Sequence, residues 1–306
     1  MDKILLIDKP YGMTTSHITN KIKKHFGAEK AGYTGTLDPL ATGVVPIFLG
    51  NLTKLIPFID EDRKTYRVKA IIGIETETLD ISGKIIKTNK VRALKTKQLQ
   101  NTVASFLGEY LYIPPSYSAI KVKGTPSYKY ARSGREIKLP ERASTIYDIT
   151  ILNIKKYSFE LKVDCSKGTY IRALIRDIGY RLDLGATVAN LRRLSTGIFE
   201  LDDSNNYFSL MKDNCANFLN IDKIFSTVEI NSQLLERLKQ HNNHKKIDKD
   251  FLINLSNKLS IKSKKDLNKV LTINQYPVGL INNEFDKEGR YVSSKMKLFL
   301  QKENRT

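Results

Sequence analysis

GYTGTLDPLATG, Gly32–Gly43, crowds three glycines and three threonines around a single acid, Asp38, which stands directly before Pro39. Aspartate followed by proline is a favourable helix start. The carboxylate accepts from an unpaired N–H, and proline sits where its missing donor is not needed. Read alone, the pair predicts a capped helix. The glycines point elsewhere: Gly32, Gly35 and Gly43 permit close approach of backbone or ligand, and loops of this kind tend to carry function. Asp38 is either a cap or the acid of a site.

Working outward, Ile4–Ile7 is a short apolar run closed by the DKPYG turn. TTSHITNKIKKHFG then reads as a helix, with Ser16 as N-cap, Ile18, Ile22 and Phe26 on one face, and Gly27 ending it. On the far side, Tyr66–Ile74 alternates, placing Tyr66, Val68, Ala70, Ile72 and Ile74 on the apolar face of a strand. Thr96–Leu107 predicts a helix with Leu99, Val103, Phe106 and Leu107 inward. Pro114 and Pro115 break the chain before a basic segment, Lys121–Arg142. Strands follow at Ile146–Ile154 and at Tyr157–Cys165, the latter with Tyr157, Phe159, Leu161, Val163 and Cys165 on one face. A helix over Thr169–Leu182 turns Ile171, Leu174, Ile175, Ile178 and Leu182 inward. Beyond Leu201 the texture shifts to Asp, Asn and Ser, and His241–Lys269 is polar and lysine-rich. VLTI, PVGLI and MKLFL then read as short strands. The expected fold class is α+β: a large domain with a mostly antiparallel sheet flanked by helices, a linker, and a small basic β module.

Composition narrows the function. Apolar runs are too short to span a membrane, and the N-terminus lacks a secretory pattern. Cys165 and Cys215 are too few for a disulfide scaffold or a thiolate zinc site, and His241 and His244 lie among Asn and Lys. No phosphate-binding glycine loop or dinucleotide fingerprint is present, so neither a cofactor nor a metal is expected. A cytoplasmic location is expected. Fifty-one Lys and Arg against 32 Asp and Glu give a net charge of +19, which favours a polyanionic partner. A general surplus of Lys and Asn explains part of the excess, but not the Arg clusters in YARSGRE and LRRLSTG.

Three features bear on Asp38. Tyr66 opens the apolar face of its strand, either as core or as an aromatic platform for a base. Arg172 falls in the first turn of a helix, where the dipole disfavours a cation, so it is either held by an anionic partner, a carboxylate or a phosphate, or an exposed Arg reaching into solvent. The Lys121–Arg142 segment interleaves Tyr128 and Tyr130 with cations, either as a solvated loop or as an arm that grips phosphates and stacks on bases.

Taken together, the sequence resembles the TruB-type tRNA pseudouridine-55 synthases. The resemblance runs in order through IDKPYGMTTSH, KAGYTGTLDPLATGVVPIFLGNLTK, DEDRKTYRV, PPSYSAIKVKGTPSYKYARSGRE, CSKGTYIRALIRDIG and NLRRLSTGIF. It implies a pseudouridine synthase catalytic domain over 1–230 with an RNA-binding insertion at about 121–142, and a PUA-like RNA-binding domain over 245–306. It further implies that Asp38 is the catalytic nucleophile, attacking ribose or uracil. By the same resemblance, Arg172 pairs with that aspartate, Tyr66 stacks on the target uracil and handles a proton at C5, and Tyr170 and Leu191 line the pocket. The target uridine at tRNA position 55 would be flipped out of the T loop. Lys121, Lys123, Tyr128, Arg132 and Arg135 would grip the T stem-loop, and the C-terminal module would reach toward the acceptor arm. Tyr33 stands where the family commonly has His, a residue that fills space vacated in the T loop. The expected state is a monomer without an obligatory protein partner. The alternatives are a synthase for another RNA uridine and a non-catalytic tRNA chaperone or RNA-binding protein.

Overall fold

The computed structural model describes residues 1–91, 94–135, 137–213, 215–243, 268–273, 276–285 and 291–298. The apolar run at the start forms β1 (Ile4–Lys9), and α1 follows at Thr15–His25. The cap of α1 is Thr14, not Ser16: the Thr14 hydroxyl accepts from the His17 N–H at 3.1 Å. Ser16 lies inside the first turn, and its Oγ is 2.8 Å from the Tyr33 hydroxyl.

The glycine-rich stretch joins β2 (Ala31–Tyr33) to β3 (Thr42–Leu49). No helix begins at Pro39. Instead the Ala41 N–H donates to the Asp38 carbonyl at 3.0 Å, closing a turn with Pro39 at its second position. Proline's fixed φ suits that position, which is why the Asp-Pro pair imitates a helix start. Gly43 is required for its size. Its φ is +110°, and a Cβ there would lie 2.1 Å from the Arg193 carbonyl oxygen.

The next strand, β4 (Arg63–Ile72), buries Tyr66, Val68, Ala70 and Ile72 as the alternation predicts. A hairpin of β5 (Ile74–Thr76) and β6 (Ile85–Thr88) follows, then α2 (Thr96–Ala104) and β7 (Gly108–Tyr112). Leu99 and Val103 of α2 are buried, but the helix stops before Leu107, which is exposed. The basic insertion folds as β8 (Lys121–Val122), β9 (Thr125–Pro126) and α3 (Ser127–Arg132). Next come β10 (Arg142–Lys155) and β11 (Ser158–Ser166), with Tyr157 exposed in the turn between them. Then follow α4 (Ile171–Arg181), β12 (Ala186–Thr196), β13 (Phe199–Glu200), β14 (Asn205–Asn206), α5 (Tyr207–Asp213) and β15 (Phe218–Leu219).

These strands make one mixed sheet whose main path runs β14, β1, β3, β12, β4, β11, β10, β7. Most neighbours are antiparallel; β1–β14 and β3–β12 are parallel. The position of β12 matters most. It lies between β3 and β4, so Arg193 faces Gly43 on one side and Tyr66 on the other. A strand from late in the chain thereby brings the Asp38 loop beside Tyr66. Helices α1, α2 and α4 cover the same side, joining Ile18, Ile22, Leu99, Val103, Leu174 and Ile178 to one apolar core with Val68 and Leu161.

A second sheet holds β16 (Ser226–Glu229), β17 (Asn268–Ile273), β18 (Tyr276–Phe285) and β19 (Tyr291–Leu298), with α6 (Ser232–Asn243) after β16. VLTI, PVGLI and the start of MKLFL fall on its last three strands. Its first strand, β16, pairs in parallel with β17 and comes from before residue 230. Val270 and Leu280 pack with Ile4, Leu6, Val44 and Phe48 of the large sheet. The stretch expected to open the small module, residues 245–267, lies outside the described residues.

Candidate active site

Asp38 projects from its turn toward the first residues of α4. There Arg172 Nε lies 2.8 Å from Asp38 Oδ2, at ion-pair distance but without an aligned hydrogen bond. Arg172 is buried, with 4% of its side chain exposed, whereas Asp38 is 39% exposed. The guanidinium is held from three other sides. Nη1 donates to the Thr78 carbonyl at 2.7 Å and Nη2 to the Tyr117 carbonyl at 2.9 Å, while Nη1 stands 3.6 Å from Asp80 Oδ2. A cation in the first turn of a helix opposes the dipole, and here two carboxylates and two carbonyls outweigh that cost. The anionic partner anticipated for Arg172 is therefore present twice.

Asp80 was not anticipated. It is buried, and its Oδ1 accepts from the Thr78 hydroxyl at 2.8 Å, from the Ser82 N–H at 3.0 Å and from the Ser82 hydroxyl. With Oδ1 so occupied, Oδ2 is left facing the guanidinium. The polar TETLDISG run resembles any surface turn, so nothing in it marks the acid as structural.

A cavity of about 200 Å³ opens beside the ion pair and is lined by Asp38, Arg172, Tyr66, Tyr170, Leu191 and Lys64, among others. Five of the expected site residues thus meet in one place. Burial pushes the Tyr66 phenol up to about 12, so it is protonated near neutral pH. Burial also raises Tyr170. A wider hollow of about 550 Å³ shares Asp38 and Arg172 and extends past Tyr11 and Tyr117 to Tyr128 and Arg132 of the insertion. The Arg132 guanidinium lies 5.5 Å from the centre of the Tyr128 ring. Tyr33 lines neither hollow, and neither do Lys121, Lys123 and Arg135, which are exposed. Among the described residues, no group of His, Cys, Asp and Glu is arranged to hold a metal ion, and no helix is long and apolar enough to cross a membrane.

The TruB family pseudouridylate synthase N-terminal domain matches residues 23–171, a span that includes Asp38, Tyr66 and Tyr170 and stops one residue short of Arg172. A tRNA pseudouridine synthase B of Clostridium kluyveri is 39% identical over 287 residues, covering 93% of this chain and 94% of its own. The chain belongs to the TruB family. A second tRNA pseudouridine synthase B, from Alkaliphilus oremlandii, is 45% identical over 202 residues, 66% of this chain and 67% of its own. The fold also matches a chain in the structure of an H/ACA RNP bound to a substrate RNA containing 2′-deoxyuridine. That match has a TM-score of 0.64 at 19% identity and covers 98% of this chain and 85% of the other. The α+β fold expected from the sequence is thus that of pseudouridine synthases.

In this TruB chain two further cations sit beneath the aspartate loop: sequence reasoning missed Lys9, and took Arg193, in LRRLSTG, for part of a cluster suited to a polyanion, whereas it is buried. Lys9 is fully buried, and its Nζ donates to the carbonyls of Met13 at 2.6 Å, Pro10 at 2.9 Å and Pro39 at 3.2 Å. It ties the DKPYG turn to the turn that carries Asp38. Arg193, also fully buried, directs Nε and Nη2 at the Val44 carbonyl at 2.9 and 2.7 Å. The one available signal was a lysine ending a strand of otherwise apolar burial.

Burial lowers Lys9 to about 8, with Asp38 acting in the opposite direction and Arg193 in the same one. The unfolded chain, with an ordinary lysine near 10.5, therefore binds more protons than the folded one between about pH 8 and 10.5. Stability contributed through Lys9 rises with pH across that window, by up to about 1.4 kcal/mol per pH unit. Urea unfolding of the wild type against Lys9→Met should show this rise in the wild type and a flatter profile in the variant.

Proposed function

We propose that this protein is a tRNA pseudouridine synthase that isomerises the T-loop uridine at position 55, with Asp38 as nucleophile. The observation that carries the reading is the Asp38–Arg172 ion pair at the edge of a cavity walled by Tyr66, Tyr170 and Leu191. A uridine inside a folded T loop must be flipped out to reach such a cavity. Unstacking costs a few kcal/mol, offset by phosphate contacts and by stacking within the pocket. Tyr66 supplies the stacking face, and its neutral phenol fits that role better than abstraction of the C5 proton. Arg172 orients the carboxylate and balances its charge. Asp38 then attacks, the base is released, turned and rejoined through C5, and the covalent step divides one hard cleavage into two easier ones.

Tyr128 and Arg132 extend the site along the wider hollow, where flanking RNA would run, and Lys121, Lys123 and Arg135 add charge on the same insertion. Tyr33, fixed through Ser16, lies outside both hollows and would meet RNA rather than the flipped base. The catalytic unit spans 1–230, and the small unit over 245–306, PUA-like and directed to the acceptor arm, borrows β16 for its sheet. The protein works in the cytoplasm as a monomer, without cofactor or obligatory protein partner.

Tritium release from C5-labelled uridine in a T stem-loop RNA tests this. Release at the T-loop uridine is expected. Binding without release would favour a tRNA chaperone, and release only from other RNAs would redirect the substrate.

A further inference from the structure

Lys64 shares the buried face of β4 with Tyr66, because alternate side chains of a strand point the same way. It lines the cavity that holds Asp38 and, with Arg172, is one of the two cations among the described residues that do so. Its Nζ lies 3.1 Å from Glu61 Oε2, and the two side chains are 13% and 18% exposed. Asp38 is more exposed, at 39%. A flipped nucleotide enters base first and leaves its phosphates outside. A cation that lines this cavity on the same strand face as Tyr66 is placed beside the base rather than along the RNA backbone. Arg172 is committed to two carbonyls and two carboxylates and Lys9 to carbonyls beneath the loop, while Arg193 binds the Val44 carbonyl through Nε and Nη2 and does not line the cavity.

We infer that Lys64 is a further catalytic residue: it donates an N–H to a carbonyl oxygen of uracil and stabilises the negative charge the base carries while detached from ribose. The inference rests on the proposed synthase activity. Written for attack at the sugar, the N1–C1′ bond breaks with its electron pair moving into the base, and the Asp38 carboxylate bonds to C1′. The base then holds one negative charge spread over its ring nitrogen and carbonyl oxygens. It turns, C5 bonds to C1′ as the carboxylate leaves, C5 loses a proton and N1 gains one. Lys64 keeps its own protons throughout. Until RNA arrives, Glu61 balances its charge. A fixed donor aimed at developing charge in a site closed to water acts on the transition state more than on the bound substrate.

Single-turnover rate and RNA affinity of Lys64→Met and Lys64→Arg separate the possibilities. The Met variant should react about 10- to 100-fold more slowly at saturating RNA. Its Kd should stay within about threefold and the salt dependence of binding should be unchanged, while Arg, which keeps the cation, recovers most of the rate. A Met variant with full rate at saturation, weaker binding and a salt slope reduced by about one would assign Lys64 to a phosphate and overturn the inference. An Arg variant as slow as Met would overturn it too. If the Met variant fails to fold, Lys64→Gln, which keeps an N–H donor but no charge, should still lose rate at saturating RNA with affinity unchanged, and full rate in it would overturn the inference. An inactive wild type would sink the synthase reading itself, whereas these outcomes bear on Lys64 alone.

Discussion

Asp38→Asn is expected to abolish pseudouridine formation, by at least about 10⁴-fold in single-turnover rate, while leaving tRNA binding and folding nearly intact. The substitution preserves shape but removes the charge and nucleophilicity of the carboxylate. The turn survives because it is closed by the Asp38 carbonyl and braced by Lys9 at Pro39, neither of which uses the side chain. Arg172 also stays anchored, through Thr78, Tyr117 and Asp80. Asp38 is partly exposed and Asn keeps an oxygen facing the Arg172 guanidinium, so the expected loss of stability is about 1 kcal/mol. Thermal unfolding and filter binding, run beside the rate measurement, show whether the loss is chemical. A variant that keeps even a hundredth of the rate would remove Asp38 from the chemistry.

Arg172→Met has the second large effect, and it strikes stability as well as rate. The change strands Asp80 as a buried charge and leaves the Thr78 and Tyr117 carbonyls without their donor. Breaking a buried pair in this way costs about 3–5 kcal/mol. Activity should fall about 10²–10³-fold, because the carboxylate loses both its orientation and its balancing charge. Arg172→Lys keeps the charge but cannot reach two carbonyls and two acids together, so it should lie between the two. Urea unfolding and single-turnover rates check both variants; an Arg172→Met protein as stable as the wild type would contradict the role assigned to Asp80.

Local features of the fold were legible where periodicity is strong. The alternation from Tyr66 to Ile72 and the inward stripe of Ile171, Leu174, Ile175 and Ile178 appear as read. Chemistry with a local signature was partly legible: a cation in the first turn of a helix favoured an anionic partner over solvent, and Asp38 and Asp80 are the partners. Misreadings arose where two structures share one signal. Asp-Pro serves a turn as well as a helix start, and Thr14 and Ser16 compete for one cap. What stayed hidden depends on strand order. Arg172 meets Thr78 across 94 residues, and Lys9 meets Pro39 across 30. Arg193 acquires its setting only because β12 inserts between β3 and β4. No window on the sequence contains those partners.

The central claim is that this chain makes pseudouridine in the T loop through Asp38. Mass-resolved mapping of pseudouridine in an unmodified tRNA transcript, treated with the wild type or with Asp38→Asn, tests it most directly. The wild type should produce a single new pseudouridine, at the T-loop uridine of position 55, and Asp38→Asn should produce none. A T loop left unmodified by the wild type, or modified equally by both proteins, would contradict it.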